Sequence, residues 1–149
     1  MDIKVEAFGD SNSNYMKTAL NIRFKIFTEE LNIDKREEFD GLDKNSTHYL
    51  IFHDMIPAGV CRWRKVDDYI YIDRFGIEEE FRGKGLAVLL LKYVVEELIP
   101  SKKEILIITP NSNFSFLRLN GFFNIQDAFK ISGVEYYKIK YKRNRKKYV

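Results

Sequence analysis

Three consecutive stretches restrict this chain more than anything else in it: "DYIYIDRFGI" (68–77), "FRGKGLAVLLLKYVVEEL" (81–98) and "EILIITP" (104–110). The first is rich in aromatic and β-branched residues, as a strand is. The second turns at Gly83 and Gly85 and then carries apolar residues at helical spacing, Leu86, Leu89, Leu90, Val94 and Leu98. Val88, Leu91 and Val95 lie on its flank, so the pattern predicts a helix buried on most sides. The third is a short continuous apolar run, the mark of an interior strand. Strand, helix and interior strand make a βαβ unit, which requires the two strands to be parallel.

The flanking sequence extends that unit in both directions. "IKVEAF" (3–8) alternates as a strand does, and two apolar series run at helical spacing from Tyr15 to Leu31, predicting one long helix. The acidic segment 32–46 reads as a short helix or ordered loop. Segments 47–54 and 58–66 read as strands joined by a turn at Met55-Ile56-Pro57. After 110, a short helix stops at Asn120-Gly121, and a hairpin turning at Ser132-Gly133 closes the chain. The expected fold class is a mixed α/β sheet with helices on both faces, in one domain over 1–149. With 45% hydrophobic and 32% charged residues, the composition is that of a folded chain.

Composition removes several function classes. One cysteine, Cys61, allows no internal disulfide, and two histidines offer no zinc spacing, so no metal is expected. No run approaches a membrane span and the first residues lack a signal pattern, so the expected address is cytoplasmic. The net charge of +3 is uneven: residues 138–149 hold seven of the basic residues and no acid, whereas 28–44 hold seven acids against three bases. A basic end is most simply a solvated one, and nucleic acid is not the expected partner.

Two glycines at the start of an apolar helix need a reason, because glycine costs helix stability. A helix N-terminus presents free N–H groups and partial positive charge, and bare backbone lets an anion come close. Arg82 and Lys84 add cations beside it, which suggests a phosphate or diphosphate site. The bland alternative is a left-handed turn residue between solvated charges.

"RFGIEEEFRGKGLA" resembles the acyl-CoA motif of the GNAT superfamily of N-acetyltransferases, in which a strand leads into R/Q-x-x-G-x-G/A, here Arg82, Gly85 and Ala87. "FLRLNGFF" is similar to the family's later helix ending in Gly-Phe. Arg23, Phe27, "EFD" (38–40), Asp43, His48, Gly59 and Arg62 are spaced as in the ElaA/YjcF-like subgroup, a pattern also similar to the acyl-homoserine-lactone synthases. The resemblance covers almost the whole chain and implies the acyl-CoA N-acyltransferase fold. It implies that an acetyl group passes directly from acetyl-CoA to the amine of a small molecule. It places coenzyme A on Arg82, Gly83, Lys84, Gly85, Leu86 and Ala87, with the pantetheine arm along Phe75, Gly76 and Ile77 and beside Asn111. The Phe75 N–H becomes the oxyanion donor, and Asp73 or Tyr71 the base. The thiolate acid that many members carry is replaced here by Leu117, with Tyr136 as a substitute. Arg23, Glu29, Glu30 and Asp40 are the expected acceptor residues. The alternative is a domain that binds acyl-CoA without turnover. The aromatic last strands suggest a homodimer.

Overall fold

The computed structural model describes residues 2–143, so residues 144–149 of the basic end lie outside the described part. Seven strands form one sheet: β1 (Ile3–Phe8), β2 (Thr47–His53), β3 (Ile56–Val66), β4 (Tyr69–Ile77), β5 (Glu104–Pro110), β6 (Phe122–Ile131) and β7 (Val134–Tyr141). They lie in the order β1-β2-β3-β4-β5-β7-β6. All neighbours are antiparallel except β4 and β5, the parallel pair that the βαβ reading requires. The connecting helix α3 (Leu86–Leu98) covers one face with α4 (Phe114–Arg118), and α1 (Ser13–Arg23) covers the other. α3 buries Leu86, Leu90, Leu91, Val94, Val95 and Leu98, but Val88 and Leu89 are exposed. It is therefore buried along one broad stripe, not on most sides.

Three local features depart from the sequence expectations. The β2–β3 turn sits at Asp54-Met55, beginning one residue earlier than expected, and both have positive φ (48° and 70°). That geometry matches the right-handed twist of the strands, which a turn through Pro57 would not. The expected single helix over 15–31 is α1 followed by a π-helical segment, Phe24–Glu30. There the Leu31 N–H donates to the Ile26 carbonyl, five residues back. The wider turn brings Ile26 and Phe27 to the sheet together, both buried against Gly76. A Cβ on Gly76 would lie 3.1 Å from Ile26 Cδ1, so the bare backbone admits the segment.

The third feature is a bulge in β4. Arg62 pairs with Asp73 and Val60 with Gly76, so two residues of β4, Arg74 and Phe75, face the single residue Cys61. Arg74 takes φ 49° to accommodate the extra residue. Alternation is thereby inverted: Asp73 and Arg74 both reach the α1 side, while Phe75 joins Ile70 and Ile72 in the α3-side core.

The α1 side of the sheet carries a lattice of arginines and carboxylates. Arg62 makes two hydrogen bonds to Asp73 (2.8 and 2.7 Å) and two to Asp40 (2.9 and 2.7 Å). Asp43 Oδ1 accepts from both Arg62 and Arg23, and Arg23 also grips Glu38 at 2.7 Å. Arg64 and Arg74 complete it through Asp73, Glu38 and Asp40. Four cations thus meet four anions, and the acidic segment around α2 (Lys35–Glu38) is tied to the sheet centre. Burial alone would raise the Asp40 carboxyl; hydrogen bonds from Arg62 and the charges of Arg62 and Arg74 outweigh it and hold it far below the ordinary range. Asp43 is lowered in the same way by Arg23 and Arg62.

A depressed folded-state pKa stabilises above the unfolded value of about 3.9 and is lost as pH falls below it. The stability gap between the parent chain and Asp40→Asn is therefore expected to be full at pH 7 and to shrink steadily below about pH 4. Urea denaturation at pH 7, 5 and 3 reads this directly, and a gap independent of pH would contradict it.

Candidate functional site

β4 and β5 pair only over Tyr69–Ile72 and Glu104–Ile107. Beyond Ile72, β4 runs five residues further without a β5 partner, while β5 stays paired with β7 on its other edge as far as Pro110. The two parallel strands therefore splay apart, and a cleft of about 510 Å³ opens at the gap. Phe75, Gly76 and Ile77 of β4 form one wall, and Ile26, Phe27, Glu30 and Leu31 from the π-helical segment stand opposite. Phe116 of α4 closes the inner end, its ring stacked on Phe75 with centroids 6.1 Å apart.

The loop into α3 forms the rest of the wall. After a short turn at Glu79–Phe81 the chain extends at Arg82 and then takes left-handed φ at Gly83 (79°) and Gly85 (80°). No side chain caps the α3 N-terminus, so its first N–H groups have no intrahelical or capping acceptor. Open space lies where a Cβ on either glycine would point. The backbone conformation calls for glycine at both positions, and the space in front of them is open.

Of the donor residues that the resemblance implies, Phe75, Gly76, Ile77, Arg82, Gly83, Gly85, Leu86 and Ala87 line the cleft. Lys84 and Asn111 do not. Lys84 is exposed, and Asn111 turns its amide to Glu135 on β7 (3.2 Å). The polar groups reaching the cleft from that turn are Ser112 and Asn113, the latter donating to Thr109 Oγ1 at 3.0 Å. A one-turn helix after β5 rotates Asn111 away and carries the next residues in, a rotation no local pattern signals.

The expected catalytic side chains lie elsewhere. Asp73 is 4% exposed, with both carboxylate oxygens engaged by Arg62 and one also by Arg64. It anchors the bulge and is not brought to the cleft. Tyr71 sits on the paired half of β4, between the cations of Arg64 and Lys138 over its ring. Tyr136 is buried between Phe129 and the bulge, beside a water-sized cavity that Glu38 and Arg74 also line. Burial pushes its hydroxyl up to about 12, so it stays protonated through the neutral range. Leu117 is fully buried in the core. Arg23 and Asp40 belong to the lattice, whereas Glu29 and Glu30 flank an open acidic concavity next to the cleft. His48 stacks on Phe8 and its Nε2 meets the Asp43 carbonyl at 3.0 Å; burial lowers its pKa, and it serves the fold. Tyr136→Phe is expected to leave turnover within about threefold. A loss beyond about thirtyfold, with an altered pH profile, would restore Tyr136 as the thiolate acid.

A family model described as "Acetyltransferase (GNAT) family" matches residues 16–119, from α1 through the cleft to α4. The chain belongs to the GNAT acetyltransferase family. Among its relatives is the uncharacterised N-acetyltransferase YjcF of Bacillus subtilis (strain 168), 30% identical over 81 residues, which are 54% of this chain and 58% of YjcF. The B. subtilis protein YyaT is 32% identical over 87 residues, again 58% of its length. The chain thus spans less than two thirds of these curated relatives. Solved structures extend the fold likeness further: Escherichia coli ElaA superposes with TM-score 0.83 at 19% identity, over 95% of this chain and 100% of ElaA. A GNAT acetyltransferase from Elizabethkingia anophelis, with acetyl-CoA bound, superposes with TM-score 0.68 at 17% identity, over 95% and 98% of the two chains. YjcF by sequence and ElaA by fold are the neighbours to which the pattern from Arg23 to Arg62 points. Among the described residues no helix is long and apolar enough to cross a membrane, and no cluster suited to a metal ion occurs.

Proposed function

We propose that this GNAT chain transfers an acetyl group from acetyl-CoA to the amine of a small molecule by direct attack. One observation carries the reading: the β4–β5 splay opens onto an uncapped helix N-terminus with two left-handed glycines. The diphosphate of the donor would lie on the amides from Gly83 to Ala87, and the amide-rich pantetheine arm along the unpaired edge of Phe75–Ile77. The amine nitrogen attacks the thioester carbonyl carbon, and negative charge develops on its oxygen, for which the Phe75 N–H is the proposed donor. Collapse breaks the C–S bond and releases the thiolate, which solvent protonates; the amine proton leaves to water.

The titratable side chains lining the cleft are Glu30 and Arg82, already paired with each other. With no titratable side chain beyond that pair lining the cleft among the described residues, the rate should rise tenfold per pH unit until the amine is its own free base. The same shortage of acid and base favours a second reading, an acyl-CoA-binding module without turnover. Titration calorimetry with acetyl-CoA tests the first step of both, and release of free thiol with a panel of amines separates them. Absence of acetyl-CoA binding removes both readings.

A further inference from the structure

Arg82 and Glu30 bridge the mouth of the cleft from opposite walls. Arg82 leaves the loop before α3, and Glu30 ends the π-helical segment that forms the facing wall. Both carboxylate oxygens of Glu30 lie 2.7 Å from the two terminal nitrogens of Arg82, and Arg82 Nε donates to the Ile77 carbonyl at 2.9 Å. The guanidinium is thereby committed on both edges in the free protein. Glu30 also stands in acidic company, since Glu29, Glu78, Glu79 and Glu80 share its concavity, with Lys25 as the one cation among the described residues that line it.

We propose that Glu30 is an internal counter-anion that occupies Arg82 until the diphosphate of an acyl-CoA displaces it, so that donor binding unstraps the wall Phe24–Glu30. The inference rests on the donor site proposed above. A guanidinium presents the same planar fork to a phosphate as to a carboxylate, so the Glu30 oxygens and a diphosphate at Gly83–Gly85 compete for the same N–H groups. Two like charges brought to one cation repel, and the diphosphate holds the stronger position because the loop amides also bind it. The strap can yield because it is solvated: its two side chains are 41% and 36% exposed, and such pairs are worth little. The Arg62–Asp73 pair in the lattice, 1% and 5% exposed, has no such freedom. Release leaves Glu30 as an uncompensated carboxylate in the acidic concavity, beside the opened wall. A cationic amine would then meet more negative charge once the donor is in place.

The sign of one substitution decides the matter. Calorimetric titration of coenzyme A into the parent chain, Glu30→Gln, Arg82→Gln and the double variant is the test. Removing the competing anion should tighten binding about three- to tenfold in Glu30→Gln, whereas Arg82→Gln should weaken it. With Arg82 absent, Glu30→Gln should gain less, because nothing remains to be released. Equal or weaker binding by Glu30→Gln would overturn the strap and show Glu30 as a strut that aims Arg82, leaving the donor site intact. Failure of all four proteins to bind would overturn the strap and the donor site together.

Discussion

Gly85→Glu is expected to abolish acetyl-CoA binding, weakening it at least about a hundredfold, while leaving a folded chain. Two effects combine. Gly85 has φ 80°, a conformation that costs a residue with a Cβ of the order of 1 kcal/mol, so the substitution strains the loop. The larger effect is electrostatic. The new side chain enters the open space before the α3 N-terminus and brings a carboxylate to the place proposed for the diphosphate. It would cap the free N–H groups itself and repel the ligand. Gly85→Ala separates these effects, since it adds the strain without the charge and should weaken binding by roughly tenfold. Circular dichroism confirms that the fold survives, and calorimetry reads the affinity. Retention of acetyl-CoA binding in Gly85→Glu would mean that the loop holds no diphosphate, and the proposed function would fall with it.

Arg62→Met should be the most damaging change to the fold. Arg62 is 1% exposed and hydrogen-bonds Asp40, Asp43 and Asp73, so its removal leaves three carboxylates sharing the remaining arginines. Stripping one partner from a buried ion cluster costs about 3–5 kcal/mol, because desolvated charge is left uncompensated. For a domain of this size that corresponds to a fall in Tm of about 10–15 °C. Arg62→Lys keeps the charge but not the fork that serves two carboxylates at once, and should recover only part of the loss. Thermal and urea unfolding of the two variants give the comparison. A cost below about 1 kcal/mol for Arg62→Met would place the cluster with ordinary surface ion pairs. The lattice also holds the cleft wall in place, since Asp73 precedes and Arg74 belongs to the bulge that swings Phe75 to the cleft.

The lattice marks a boundary between what local sequence can reveal and what it cannot. Arg23, Glu38, Asp40, Asp43 and Arg62 are legible as a spaced set, but the bonds that join them span 15 to 22 positions, and no local rule pairs them. Asp73 read as a candidate base because a carboxylate on that strand is what the reaction would use. Its two captured oxygens depend on β3 lying alongside, a fact of register. The cleft residues Ile26 and Leu31 carry only a core signal, because an apolar residue facing a cleft and one facing a core have the same side chain. Nothing local separates Asn113 from Asn111, because a single turn of helix decides which amide faces inward.

By itself the sequence determined the elements and their connectivity. The apolar periodicity, the glycines at 83 and 85 and the turn residues act over a few positions, where backbone sterics and side-chain spacing dominate. They are enough to specify the parallel pair, the helix between its strands and the bare helix N-terminus. Only the tertiary structure decided where each side chain points. One extra residue at Arg74 inverts the alternation of β4, and a π-helical turn rotates Phe24–Glu30 against Gly76. The splay beyond Ile72 is likewise a matter of assembly, since β5 keeps β7 on one edge while its other edge parts from β4. These adjustments answer to packing between segments distant in the chain. Their energies arise only when the sheet is assembled.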